Sequence, residues 1–349
     1  MALFPRARTT VGLDIGSGYI KAALINHSSG TPVLDRVAIA RVADDAIVEG
    51  EVMDPTLVAE AVRTLLTEAQ IKTKDVVVAV GGRDVIIKKI MMDRMDEAAA
   101  REVIRWEADQ HVPFDPTNVE LDFQILDPDA DGMQMQVLLV AAKRELVESK
   151  LALLAEIGLD ASIIDVEAFA LHNAFELNYP EAMRGIVALA NIGHETTTVN
   201  LLEDGVPVLP RYLPVGVRRL REDLQRERGM AAEMADRVVR GTELDPSLAA
   251  HVAVRGEELA LGIERAAAFL LQQTSNRPTT ALSRVYITGE GSRIPGLATV
   301  LADRIHVPVT EAHPLERLDK AADAFGSLNV DEVAPLLMLP VGLALRSAA

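Results

Sequence analysis

The sequence predicts an α/β protein of two related lobes. Three observations carry this. The stretches VGLDIGSGYIKAALI (11–25) and IVALANIGHETTTVNLL (186–202) both read as strand, glycine turn, strand. Laid over one another, Leu13-Asp14-Ile15-Gly16 falls on Ala190-Asn191-Ile192-Gly193, an offset of 177 residues (191 minus 14). A repeat at half the chain length points to two lobes, because solenoid periods are far shorter. A third glycine-rich turn, in RVYITGEGSRIPG (284–296), also follows an apolar strand directly. The length, 349 residues, gives room for two cores of ordinary domain size.

Taken in order, residues 10–42 read as paired strands, and Pro55 to Gln70 places Leu57, Val58, Ala61 and Leu65 at helical spacing. DVVVAVGG is a short buried strand ending in a glycine pair. Residues 84–150 then run VIIKKIMM, MDEAAAREVIRWEADQ, ELDFQIL, a DPDADG turn, MQVLLVAA and KRELVESKLALLAEIG. That β-α-β-β-α order predicts a compact inserted module, leaving 1–83 and 151–185 as the first lobe. SIIDV and a helix, EAFALHNAFEL, follow. The second lobe takes 186–215 and 282–349, with a tight hairpin turn expected at Asp204-Gly205. Between them, 216–281 is helical in pattern, its longest helix carrying Leu259, Ile263, Ala266 and Leu270 on one face. RRLREDLQRER interleaves both charge signs and reads as a solvated helix face.

Composition narrows the function classes. Hydrophobic residues make up 49% and charged ones 25%, as in a folded globular protein, and aromatics only 3%, so the cores rest on Ala, Val, Leu and Ile. Lys plus Arg number 35 against 52 Asp plus Glu, a net charge of -17 that repels nucleic acid and anionic headgroups. The absence of cysteine excludes thiol catalysis, zinc–thiolate sites and disulfides, and fits a reducing cytoplasm. The start, MALFPRARTT, has no apolar run of a secretory signal. VAPLLMLPVGLAL (333–345) holds two prolines and falls short of the roughly 20 residues needed to span a bilayer. His111, His172 and His194 share no metal-ligand spacing, and DPDADG lacks the closing glutamate of a calcium loop.

Glycine turns after strands let backbone N–H groups converge on an anion. Asp14 is placed to hold a metal ion through water, and Lys21, one strand-turn further, to reach a phosphate. The other nucleotide signatures fail. No Gly-Lys dipeptide exists for a P-loop, GEGSRIPG spaces its last glycine too far for a dinucleotide fingerprint, and no kinase catalytic-loop motif is present.

The pattern D-x-G-S-G-x-x-K at Asp14, Gly16, Ser17, Gly18 and Lys21 resembles the first phosphate loop of the actin/Hsp70/sugar-kinase superfamily. IVALANIGHETTTV resembles its second phosphate loop, and VYITGEGSRIPGL its adenosine loop. VEAFALHNAFE and LLMLPVGLALRS resemble its two connecting helices. Within that superfamily, VIIKKIMMDRMDEAAAREVIRWEADQHVPFDPTNVELDFQIL is similar to the inserted subdomain of the PilM family of type IV pilus assembly, and next to that of FtsA. FtsA-type proteins end in a basic linker and amphipathic membrane helix, whereas this sequence stops at LALRSAA.

The resemblance implies an actin-like (ribonuclease H-like) two-lobed ATP-binding fold with an FtsA-type inserted subdomain, closing on ATP with Mg²⁺. Gly16, Ser17, Gly18, Tyr19 and Lys21 would hold the phosphates, with Asp14 in the metal's shell. Gly193, Glu195 and Thr196 would form the facing loop. Gly289, Glu290, Gly291 and Arg293 would lie against the adenosine, with Arg265 approaching the base. Two catalytic positions depart from actin: Glu167 stands where actin positions water with glutamine, and Asn191 where the second loop normally begins with Asp. The missing carboxylate should harm hydrolysis more than binding. Glu290 replaces the second of paired glycines.

The function implied is a cytoplasmic nucleotide-binding adaptor of the type IV pilus, or a related type II secretion, inner-membrane platform. A PilN-like membrane protein would dock its cytoplasmic N-terminal peptide in a groove offered by the module through Trp106 and the Val112-Pro113-Phe114 turn. The resemblance leaves room for pilus assembly ATPases as further partners, and recruitment to the inner membrane would be through the PilN-like partner. An FtsA-like or filament-forming actin homologue and a small-metabolite kinase are the alternatives.

Overall fold

The computed structural model describes residues 9–129, 132–273 and 281–346. The chain start and the centre of the DPDADG turn lie outside the described residues. The first lobe begins with β1 (Thr9–Ile15), β2 (Tyr19–Asn26) and β3 (Val33–Arg41), followed by a small hairpin, β4 (Ile47–Val48) and β5 (Glu51–Val52). Helix α1 (Pro55–Glu68) starts where Asp54 accepts the Leu57 N–H at 3.0 Å and Pro55 takes the first helical position. β6 (Asp75–Val80) leads into the inserted sheet of β7 (Val85–Asp93), β8 (Val119–Asp127) and β9 (Gln134–Lys143), with α2 (Glu97–His111) capped by Asp96. Then come α3 (Arg144–Ile157), β10 (Asp160–Val166) and α4 (Glu167–Asn178).

The second lobe holds β11 (Ile186–Ile192), β12 (Thr197–Glu203) and β13 (Val206–Leu213), then α5 (Val217–Arg228), α6 (Ala232–Val239) and α7 (Leu248–Gln273). β14 (Leu282–Thr288), α8 (Leu297–Ile305), β15 (Val309–Glu311), β16 (Asp319–Lys320), α9 (Val330–Val333) and α10 (Met338–Ala344) complete the described chain. The turn at Asp204-Gly205 has φ of 48° and 80°, the left-handed pair a two-residue hairpin needs.

The two lobes repeat one topology. The first sheet runs β10-β6-β1-β2-β3-β16 and the second β13-β12-β11-β14-β15. Asp14 pairs with Lys21 across β1–β2, and Asn191 with Thr198 across β11–β12, so the cross-strand register is conserved at the same 177-residue offset (191 minus 14, 198 minus 21). Even the irregularity in the next pairing recurs, at Leu24/Ile25 in β2 and at Leu201/Leu202 in β12. Register is fixed this tightly because one slip would turn each buried face to solvent.

In the module, β9 lies between β7 and β8 and is apolar on both faces. Met135, Val137, Leu139 and Ala141 pack with Ile104 and Ala108 of α2. Leu138 and Ala142 pack with Val80, Val166 and Ala168, seating the module on the first lobe. The module's sheet is complete at Lys143, and α3 turns Leu153, Leu154 and Ile157 into the first-lobe core beside Val58 and Val62 of α1. α5 is not a solvated face throughout: Leu220, Arg221, Asp223 and Leu224 are buried, with Asp223 held by Arg255 of α7 at 2.5 Å.

Helix α10 lies between α4 and β1, every residue of it buried. Ala170, Leu171 and Phe175 of α4, Val77 of β6, Leu189 of β11, Tyr286 of β14 and Leu339 and Leu343 belong to one apolar cluster that joins both lobes. Its closeness rests on glycine. A methyl group at Gly342 would overlap the Ala170 carbonyl oxygen, and one at Gly12 would overlap the Pro340 carbonyl. Among the described residues, no helix is long and apolar enough to cross a membrane. Gly342→Ala is therefore expected to destabilise the fold by about 1–3 kcal/mol or more through overpacking, read as a lower denaturation midpoint. An unchanged midpoint would show that α4 and α10 are not held this closely.

Candidate functional site: three glycine turns meeting between the lobes

Each hairpin turn closes by the same backbone bond. Gly16 N–H donates to the Tyr19 carbonyl at 3.1 Å, and Gly193 N–H to the Thr196 carbonyl at 2.9 Å, again one offset apart. The third turn, after β14, takes Gly289 at φ 85° and is pinned to the approach to α10. Both the Gly289 N–H and the Thr288 hydroxyl donate to the Pro335 carbonyl, at 2.9 and 3.0 Å. Gly289 also has to be glycine because a Cβ there would overlap the Asn191 side chain.

All three turns converge. A Cβ on Gly18 would stand 2.8 Å from His194 and 2.9 Å from the Glu290 Oε2. His194 Nδ1 and Glu290 Oε2 are themselves 3.2 Å apart, and both side chains are largely buried. The first glycine turn thus touches the second, with the carboxylate of the third turn at their meeting point.

Deeper in, Lys21 Nζ pairs with Asp14 Oδ2 at 2.6 Å, as their facing positions on β1 and β2 dictate. Asp14 shares a small polar cavity with Glu167, the first residue of α4, and with Lys150 of α3, floored by Leu13, Val78, Leu339 and Leu343. Glu167 also receives the Thr198 hydroxyl at 3.5 Å. Burial first, and then the Asp14 charge, push the Glu167 carboxyl above the usual carboxylate range. Burial lowers the Lys150 ammonium, while Glu167 and Asp14 oppose that shift. Glu167 is therefore no exposed first-turn acid. Lys150 escapes a sequence reading because ESKLALL looks like an ordinary amphipathic face.

The mouth of the cleft is tied by charge. Glu195 Oε1 pairs with Arg218 of α5 at 2.9 Å, and its Oε2 accepts the Glu49 N–H at 2.7 Å from the first lobe. Arg218 reaches Asp45 at 2.9 Å as well. Arg41 pairs with Asp236 of α6 at 3.1 Å, and Arg240 donates to the Tyr19 hydroxyl at 2.5 Å. Burial raises the Tyr19 phenol above its ordinary value, and the Glu290 charge adds to this. Asp45 and Glu49 adopt positive φ, 62° and 51°, so this first-lobe loop is bent to make the reach.

Of the expected site residues, Asp14, Gly16, Gly18, Tyr19, Lys21, Glu167, Asn191, Gly193, Glu195, Gly289 and Glu290 gather here. Thr196 shapes its turn through its carbonyl, and Ser17 is half-buried between Gly16 and Gly18. A Cβ at Gly291 would meet Ile192, so this glycine lets the third turn lie on the second. Arg293 instead donates to the Asp331 carbonyl at 2.7 Å, and Arg265 is exposed on α7. In the module, Val112 is buried at the end of α2 and half-buried Phe114 packs with it. Trp106 stands apart, 78% exposed. His194 and Arg218 were not expected in the site. The signal for His194 was its place inside the second turn; for Arg218 there was none beyond a charged helix.

The residues fit ATP with Mg²⁺ in kind: three glycine turns converge, a lysine and a carboxylate face each other beside the first, and polar groups line the floor. The carboxylate of Glu290 is the misfit among them.

The fold is similar to that of a PilM–PilN type IV pilus biogenesis complex, with a TM-score of 0.83 and 28% identity over 98% of this chain and 99% of that one. The ethanolamine utilization protein EutJ of Carboxydothermus hydrogenoformans matches at a TM-score of 0.53 and 18% identity, over 99% and 91% of the two chains. MreB5 of Spiroplasma citri bound to ADP matches at 0.52 and 11%, over 98% and 96%. These last two share the fold alone, an actin-like ATPase fold. The family of type IV pilus assembly protein PilM matches residues 12–348. With the repeated lobes, the inserted module and that match over nearly its whole length, the chain belongs to the type IV pilus assembly protein PilM family.

Proposed function

We propose that the chain is a cytoplasmic adaptor of the type IV pilus inner-membrane platform, which it joins by binding the cytoplasmic N-terminal peptide of a PilN-like membrane protein. The likeness to the PilM–PilN complex over the full chain carries this reading. The peptide would lie between the module and the first lobe. There Leu126, Val140, Leu146, Val147, Ile164 and Phe169 are only partly buried against the cluster that seats the module. An extended peptide could add backbone bonds along a strand edge and place apolar side chains on such residues. Trp106 lies outside that surface, because α2 packs on the opposite face of the module's sheet.

ATP with Mg²⁺ is the ligand assigned to the cleft. Gly16, Gly18 and Lys21 would hold its phosphates and Asp14 the metal's water shell. When bound, Mg²⁺ would neutralise phosphate charge. Asn191 offers no carboxylate where the first hairpin has Asp14, so the metal and the water would be held less firmly on that side, and hydrolysis should be slow even with Glu167 in the same cavity as Asp14. Nucleotide then serves to set the lobes, and with them one wall of the peptide groove.

Two expected outcomes follow. A synthetic N-terminal peptide of a PilN-like protein should bind the wild-type chain, and should fail to bind a version in which 85–142 is replaced by a short linker with α3 kept. Trp106→Ala, on the face of the module turned away from the groove, should leave peptide affinity unchanged and stability within about 0.5 kcal/mol, because the ring is exposed. Equal binding by the wild type and the version lacking the module would place the peptide elsewhere. In calorimetry, Mg-ATP should bind, and Lys21→Ala should cost about 1.5–3 kcal/mol of that affinity, the worth of a charged hydrogen bond. Brisk phosphate release by the wild type alone would contradict the reading of Asn191.

A further inference from the structure

Glu290 has no role in the adaptor reading, yet it holds the centre of the cleft. Its carboxylate oxygen lies 3.2 Å from His194 Nδ1 and 2.9 Å from where a side chain on Gly18 would begin. It thus stands between the turn that opens at Gly16 and the turn that opens at Gly193, the two loops that the proposed function assigns to the phosphates. Both His194 and Glu290 are about nine-tenths buried, so the pair is shielded from water and from salt. The neighbouring glycine, Gly291, is packed against Ile192, which leaves the Glu290 side chain directed by a fixed backbone.

We infer that Glu290 is an internal stand-in for a nucleotide phosphate: its carboxylate occupies the anion position between the two hairpin turns and competes with the phosphates of any nucleotide. This deepens the reading of the cleft as a nucleotide site and rests on it in part. The competition has two components. A phosphate arriving beside Gly18 meets a like charge, which is unfavourable in a dry site. It must also displace the His194–Glu290 contact, leaving His194 to find the phosphate instead. The closed arrangement of the turns is thereby available to the nucleotide-free protein, and nucleotide binding begins with the Glu290 side chain turning out.

Two variants and two readouts test this. Glu290→Gly removes the side chain, and Glu290→Gln keeps its volume while removing the charge. Hydrogen exchange without nucleotide is the first readout. The amides of 16–19 and 193–196 should be protected in the wild type and exchange faster in Glu290→Gly. Titration with Mg-ATP is the second, and both variants should bind roughly tenfold or more tighter than the wild type, the order expected when a like charge is taken from beside a phosphate. Unchanged exchange at both turns in Glu290→Gly would overturn the inference, whatever the titration shows. Equal or weaker Mg-ATP affinity in both variants, with measurable binding by the wild type, would also overturn it. If none of the three proteins binds Mg-ATP, the nucleotide assignment fails, while faster exchange in Glu290→Gly still supports Glu290 as the internal anion.

Discussion

The structure depends on how closely a short helix can lie against its neighbours. Helix α10 is wedged between α4 and β1 with no side chain at the two points of nearest approach, Gly342 and Gly12. That contact sets the distance between the first hairpin and the second lobe, because α4 and α10 carry the apolar cluster that spans both. Phe175 on α4 continues it by stacking on Tyr179 at 5.1 Å and meeting the edge of Tyr286, from the second sheet, at 4.8 Å. The meeting of Gly18 with His194 is the far consequence of this near packing.

Given that spacing, charge decides what the cleft holds. Asp14, Glu167, Glu195 and Glu290 face Lys21, Lys150, Arg218 and His194, so each acid has a basic neighbour from the protein itself. A site composed this way is polar without carrying a large net charge of either sign. Buried charges left unpaired would cost several kcal/mol each, which explains why Lys150 accompanies Glu167 into the floor. Each of these pairs lies within one lobe, and it is Arg41 with Asp236 and Arg218 with Asp45 that tie the lobes to one another.

Much of this was legible in the sequence. Alternation around Asp14 and around Asn191 gave both hairpins, and their common offset gave the two lobes, since a pleated strand leaves a period of two wherever one face is buried. The glycines at 16, 18, 193 and 289 marked turns for the same local reason. What stayed hidden was long-range. The pattern of α3 shows an apolar face but not whose core receives it, so the boundary expected at 150/151 falls inside a helix whose Leu153, Leu154 and Ile157 pack in the first-lobe core. Lys150 and Arg218 look like solvated charges because nothing within a few residues tells of Glu167 or Asp45. Trp106 and Val112 illustrate the converse: equally apolar in sequence, one ends exposed on α2 and the other buried at its end.

The two ends of the interface between the lobes are made of different materials. At the base it is aliphatic and aromatic, and that kind of attraction weakens on cooling and is strengthened by salts excluded from protein surfaces. At the mouth it is Arg41 with Asp236 and Arg218 with Asp45, partners that simple electrolyte screens over about 8–10 Å. Temperature and ionic strength therefore act on opposite ends of one molecule. A rise in simple electrolyte would slacken the rim while the pivot stays packed, so that any parting of the lobes would start at the mouth.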